Sequence, residues 1–394
     1  MIPTVRPRLL FVSACAGILV FGIVFAILGT VFGLPTMRSR LQVGLAQQGT
    51  IFLLLYLGIF VGSLVVGPLI DQLGNKANLV VSSLIVALAM VFFAGAHSFA
   101  TASLAAVLLG VGGGGLNTCT NALVSDLYTE QRGAMLNLLG VFFGVGAISI
   151  PLMAASIEGR FTIPQLFLFC AVLAVVCAIG YAAISFPPGQ TKQAFSWAEL
   201  LLVTKYQGVL LLAFILFCES GNEASIAGWT STYVGVIGHS PRVATLILAA
   251  YWAALMLSRM LAARVLQGMG KSQLVLGVAL LSLGGIAILL SARALVWLFI
   301  GTALIGVSYG PIFPTTLAIA GDRYTQRAGT VFGLLFSIAL IGGMALPWAV
   351  GQVSQQIGVR SGMVVPGLGA LGIISLCLAL AFEERKSKVL PSVG

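Results

Sequence analysis

Asp126-Leu-Tyr-Thr-Glu-Gln-Arg-Gly133 returns 196 residues later as Asp322-Arg-Tyr-Thr-Gln-Arg-Ala-Gly329. The same offset carries Gly74 onto Gly270, Gly110 onto Gly306, Gly114 onto Gly310, Ala122 onto Ala318, Gly146 onto Gly342 and Pro151 onto Pro347, with no gap between those pairs. Chance gives scattered glycine matches, but not a charged motif, a proline and several glycines in one register. Units of this length are far too long for a solenoid. The chain therefore reads as two similar halves.

Around that repeat the composition is that of a polytopic membrane protein. Of 394 residues, 59% are hydrophobic and 8% charged, and the mean hydropathy is +1.09. Soluble proteins carry roughly a quarter of their residues as Asp, Glu, Lys and Arg. The 48 glycines suit helices that must approach closely in lipid. The net charge of +10 is spread singly between apolar runs, so it marks topology rather than a nucleic-acid surface. All six cysteines (Cys15, Cys119, Cys170, Cys177, Cys218 and Cys377) fall inside apolar runs without metal-ligand spacing; they read as packing residues, and no cofactor is expected. Arg6 and Arg8 precede an apolar run that continues to about Gly33, a first transmembrane helix rather than a cleaved leader.

The fold expected is all-α, with twelve transmembrane helices in two parallel six-helix repeats. The spans fall near 9–36, 46–69, 78–96, 101–124, 134–156 and 163–184, then 207–236, 243–266, 273–291, 295–319, 328–350 and 362–381. This gives an N-terminal bundle over 1–185, a cytoplasmic linker over 186–205 and a C-terminal bundle over 206–394. Hydrophobic chains built as two halves are a common plan of secondary transporters, with the substrate site between the halves. With the N-terminus inside, inner segments hold thirteen Lys and Arg and outer segments six, which places both termini in the cytoplasm of a plasma (inner) membrane protein.

Gly67-Pro-Leu-Ile-Asp71-Gln72-Leu-Gly74-Asn75-Lys76 follows the second span. It resembles the signature of the major facilitator superfamily, roughly Gly-x-x-x-Asp-Arg-x-Gly-Arg-Lys, with Gln72 and Asn75 where arginines are usual. Arg264, Gly270 and Lys271 give a weaker echo in the second half. Within that superfamily, Glu223-Ala-Ser-Ile-Ala-Gly-Trp229-Thr-Ser-Thr-Tyr233 in span seven resembles the fucose-permease-like sugar symporters and their glucose-transporter relatives. Tyr56 and Gly115-Leu-Asn117-Thr-Cys-Thr-Asn121 fit the same group. The chain departs from it at Asn117, where an acid is frequent, and at Gly140 and Phe143, where Gln and Asn are frequent. It also has no ionisable residue in span one, which carries a proton-binding acid in the fucose permeases.

Glu219, Glu223 and Arg259 stand at membrane depth. A charge there costs roughly 3 kcal/mol even on a lenient scale, so each should face the bundle interior and have a partner. Glu219 and Glu223, four apart, share one face of span seven. Two close carboxylates in low dielectric resist double ionisation, so one can load and release a proton. By helix rise, Arg259 lies nearer the depth of Glu219; an Arg259–Glu219 pair is expected, leaving Glu223 to titrate or to bind solute. Asp71, Asp126, Glu130, Arg132, Asp322 and Arg327, in cytoplasmic loops, are expected to form gate-closing ion pairs between helix ends, or else to be solvated loop charges.

A sugar site needs neutral hydrogen-bonding groups and an aromatic platform. The candidates at middle depth are Tyr56, Asn117, Asn121, Asn222, Trp229, Tyr251, Trp252, Tyr309, Thr315 and Trp348. The expected function is a proton-coupled symporter of a hexose or similar small polar solute, a monomer in the lipid bilayer with no nucleic-acid partner. The alternatives are a proton-driven exporter of amphipathic compounds, to which the Phe142-Phe143 region would be suited, and a uniporter. An enzyme is not expected, because His97 and His239 lie far apart and no catalytic constellation accompanies them.

Overall fold

The computed structural model describes residues 7–156, 162–187, 197–265 and 269–389. Arg6, Arg160, Lys192 and residues 188–196 of the expected linker lie outside the described residues, as does the side chain of Arg264. The described residues are helical, with no strand among them. In chain order the helices are α1 (Pro7–Phe32), α2 (Pro35–Leu41), α3 (Leu45–Gly95), α4 (Phe99–Leu127), α5 (Arg132–Ser156), α6 (Ile163–Ala183) and α7 (Trp197–Val203). They continue with α8 (Gln207–Val236), α9 (Pro241–Val265), α10 (Lys271–Ser291), α11 (Leu295–Arg323), α12 (Ala328–Ile357), α13 (Val359–Gly362) and α14 (Val365–Val389).

Eleven of these are long and apolar enough to cross a membrane. α3, with 51 residues, is long enough for two crossings of about 20 residues each. It is broken at Gly74, whose φ of 75° and ψ of 171° are open to glycine and strained for other residues. Counting α3 as two gives the twelve spans expected. Gly270, at the matching place in the repeat, has φ −64° and ψ 142°, an ordinary extended N-cap. The two short connections are therefore built differently.

By packing, the chain divides into two units, residues 1–193 with 228–252, and residues 194–227 with 253–394. The first unit thus contains the last two turns of α8 and the first half of α9. There the Phe52 ring meets both Phe32 and Trp229, each at 5.8 Å between centroids. Gln48 Nε2 donates to Thr232 Oγ1 at 3.0 Å, and Thr232 Oγ1 donates to the Phe32 carbonyl at 3.3 Å. A Cβ on Gly33 would lie 2.2 Å from Ser231 Cβ. These contacts close the C-terminal end of α1 and the start of α3 against the C-terminal part of α8.

Candidate coupling and binding site

α8 carries Glu219 and Glu223 one turn apart, 1% and 9% exposed. Ser220 Oγ donates to Glu219 Oε2 at 3.2 Å, while Glu219 Oε1 is buried without a hydrogen bond. Arg259 of α9 reaches Glu223, not Glu219: its Nη2 lies 3.4 Å from Glu223 Oε2. The expected Arg259–Glu219 pair is thereby corrected. Depth judged from Cα positions misleads here, because an arginine side chain is long enough to carry its guanidinium about one helical turn, 5.4 Å, beyond its own level. The 3.4 Å separation is long for a charge-assisted bond, so the grip on Glu223 is loose. The Nε of Arg259 donates to the Gly310 carbonyl at 3.2 Å.

Polar groups collect around this pair. Asn222 is fully buried and both its amide atoms lack a hydrogen bond. It is wedged against α14, where a Cβ on Gly369 would lie 2.2 Å from its Oδ1. Tyr309 of α11, also fully buried, sets its hydroxyl beside Asn222 and Ser282 and within electrostatic reach of both carboxyls. The hydroxyls of Thr315 and Thr316 are buried without partners. An unsatisfied buried polar group costs about 1–3 kcal/mol, and most proteins carry few of them. Of these groups, Asn222 and Tyr309 stand beside the two carboxyls.

The remaining candidates are distributed differently. In the first unit, Phe25 is in edge-on contact with Tyr56 at 5.3 Å and with Trp252 at 5.8 Å. Phe143 touches both Phe25 and Trp252, and Tyr251 packs on Trp252 at 5.2 Å. Tyr56 and Trp252, matched by the repeat, thus meet in one aromatic cluster whose centre is Phe25, a residue the sequence reading did not single out. Asn121 Nδ2 donates to the side-chain and backbone oxygens of Asn117 at 2.9 and 2.8 Å; each amide has found the other. Trp229 belongs to the closed end beside Phe52. Trp348 is 40% exposed, unlike the buried groups around Glu223.

The loop charges divide as well. Asp322 pairs with Lys271, joining the end of α11 to the start of α10. Arg323 pairs with Glu383 of α14 at 3.1 Å, an ion pair the sequence reading missed. Arg132 and Arg327 make hydrogen bonds instead of the ion pairs expected. Arg132 donates to the Ser125 carbonyl at 3.3 Å, and Arg327 Nη1 donates to the Tyr206 hydroxyl at 2.9 Å. Asp71 makes no ion pair among the described residues. Tyr206 also packs on Tyr324 at 5.8 Å, whose phenol is pushed up by burial, with the Arg323 guanidinium acting against it.

Residues 14–347 match the Major Facilitator Superfamily. The chain belongs to it. Members of this superfamily are transporters rather than enzymes, and the chain is a multi-pass membrane transporter. Among curated proteins it is similar to the "Protein TsgA homolog" of Erwinia tasmaniensis, 22% identical over 362 residues that cover 89% of this chain and 90% of the relative. Its fold is shared with a point mutant of the nucleoside transporter NupG, with a TM-score of 0.80 at 13% identity over 95% of this chain and 99% of that one. It is shared also with a point mutant of the E. coli fucose:proton symporter FucP, with a TM-score of 0.64 at 17% identity over 94% and 98%.

Proposed function

We propose that this protein is a proton-coupled symporter of a hexose or a similar small polar solute, working by alternating access. The observation that carries the reading is the pair of buried carboxyls, Glu219 and Glu223, with one part-buried guanidinium, that of Arg259, for the two. Two carboxylates with one cation leave a net negative charge in low dielectric, which a proton neutralises. Because Arg259 is engaged by Glu223, Glu219 is the residue we assign to proton loading, in place of Glu223. Asn222, Tyr309 and Thr315 would offer hydrogen bonds to the solute. The similarity to a fucose:proton symporter and a nucleoside transporter supports a solute with many polar edges. We place the protein in the inner (plasma) membrane with both termini in the cytoplasm. In that orientation the closed end built from Phe32, Phe52, Trp229 and Thr232 is the outer gate, and Arg323–Glu383 and Lys271–Asp322 brace helix ends on the inner side.

The aromatic cluster of Phe21, Phe25, Tyr56, Phe143 and Trp252 favours a second reading, proton-driven export of amphipathic compounds, since such rings offer apolar area and few directed bonds. Uptake of labelled hexoses and nucleosides into proteoliposomes, with and without an inward proton gradient, separates the two. Symport predicts gradient-stimulated uptake in the wild type that Glu219→Gln abolishes. Uptake indifferent to gradient and mutation identifies a uniporter. No uptake of either class, with gradient-driven extrusion of a dye, puts the exporter first.

A further inference from the structure

We propose that Pro314 positions Arg259, and through it the charge on Glu223, by withholding one helical N–H. In an α-helix the N–H of each residue bonds the carbonyl four residues back, and proline has no N–H to give. Pro314, inside α11, therefore leaves the Gly310 carbonyl without its helical donor. Arg259 Nε takes that place at 3.2 Å while its Nη2 reaches Glu223 at 3.4 Å. One planar guanidinium is thus held at two points, a geometry suited to the fixed fork of arginine. Gly310 makes the approach possible, since a Cβ there would lie 2.6 Å from the Leu255 carbonyl and 2.9 Å from the Arg259 nitrogen.

The N-terminal repeat supplies an internal control. The offset of 196 carries Arg259 onto Ser63, Gly310 onto Gly114 and Pro314 onto Thr118. Ser63 Oγ donates to the Gly114 carbonyl at 3.3 Å. Thr118, which keeps its N–H, also directs its hydroxyl to that carbonyl at 2.9 Å. The same contact joins the second and fourth spans of both repeats. Only in the C-terminal repeat is the carbonyl released by a proline and the incoming donor charged.

The inference rests on the proton-coupling reading of the site and says what sets its charge balance. Among the described residues, the titratable and charged groups facing Glu223 are Glu219 on its own helix, Arg259 from α9 and Tyr309 from α11. α10 and α14 bring Ser282 and Gly369 to the cluster, and neither titrates.

The test is infrared difference spectroscopy of the protonated-carboxyl band against pH, on purified protein in liposomes, where no solute is needed. Glu219→Gln and Glu223→Gln assign the band. Pro314→Thr, which installs the residue of the other repeat, and Pro314→Ala both return an N–H to Gly310. Each should raise the pH at which the Glu223 band disappears by about one unit, the low end for weakening one neighbouring cation. Arg259→Lys, which leaves the proline in place, should move it the same way, and the Pro314→Thr/Arg259→Lys double variant should go no further than Arg259→Lys alone. Folded Pro314 variants with the wild-type midpoint, or with only a lower melting temperature, overturn the proposal. A moved midpoint in a protein without proton-driven uptake keeps Pro314 as the positioning residue and removes the transport reading. Gradient-driven uptake with an unmoved midpoint does the reverse.

Discussion

In the N-terminal repeat a Cβ on Gly146 would lie 2.1 Å from the Leu19 carbonyl, and in the C-terminal repeat a Cβ on Gly342 would lie 2.0 Å from that of Phe217. Gly146 and Gly342 are 196 residues apart, but Leu19 and Phe217 are 198 apart. The first helix of the second repeat is therefore shifted by two residues. In that register Phe21 answers to Glu219, Val24 to Asn222 and Phe25 to Glu223. The fourth span agrees: Gly113 packs on Val24 and Phe21, and its mate Tyr309 stands beside Asn222 and Glu219. At the crossings made by Gly146 and Gly342, and by Gly114 and Gly310, both repeats keep glycine, because a side chain there would force the helices apart. Where side chains fill the space between helices, one repeat holds aromatic rings and the other holds carboxyls, an amide and a phenol. The duplicated architecture thus exchanges the chemistry of this face while keeping the Gly146/Gly342 and Gly114/Gly310 crossings.

The largest consequence of this asymmetry lies at the two matched donors, Arg259 and Ser63. Arg259→Ala removes the cation facing two buried carboxyls, and should lower stability by about 2 kcal/mol, less than breaking a fully buried pair because the Arg259 side chain is 29% exposed. Adding Glu223→Gln should restore most of it. Ser63→Ala removes a neutral donor to a carbonyl that has another, and should cost under about 1 kcal/mol. Denaturant unfolding in detergent measures both. Equal losses would mean that the charge in the second repeat carries no energetic weight of its own.

Next in size are the shared crossings. Gly146→Ala and Gly342→Ala each place a methyl against a carbonyl of the neighbouring helix, and overpacking of this kind costs about 1–3 kcal/mol. The two losses should be similar, because the obstacles are similar. A loss confined to one repeat would show that its partner helix yields.

The twelve spans were legible because hydropathy is a sum over some twenty residues and survives local errors. The repeat was legible because Gly146 and Gly342 sit at close crossings and the Asp126 and Asp322 motifs keep the same offset. The shift by two residues in the first helix was not, since Phe21 and Glu219 share no chemistry that an alignment could follow. The wrong partner for Arg259 has the same origin, as sequence gives the level of a Cα and not the reach of a side chain. One signal was available and passed over: Pro314, four residues after Gly310, marks a carbonyl in need of a donor.

Asn222 should separate stability from function. Its amide atoms make no well-formed hydrogen bond, with the Tyr309 hydroxyl beside them, so Asn222→Val, which installs its counterpart Val24, should change stability by less than about 1 kcal/mol. Uptake should nevertheless fall about tenfold, the loss expected when one hydrogen bond to a polar solute is removed. Melting temperature and initial uptake rate on the same preparation check this. A large loss of stability would make Asn222 a structural residue and return the solute contact to Tyr309 or Thr315.

The smallest effect should come from the motif that reveals the duplication. Lys271 and Asp322 are 37% and 67% exposed, and exposed pairs contribute roughly 0–1 kcal/mol. Lys271→Ala should therefore shift unfolding by under about 0.5 kcal/mol, and salt should remove even that. Arg323→Ala, at the more enclosed pair with Glu383, should cost more and respond less to salt. If Lys271→Ala instead alters the pH or voltage dependence of uptake without touching stability, the Asp322 end of α11 works as a gate latch. Its worth would then lie in the difference between two conformations, a quantity that the stability of either one alone does not report.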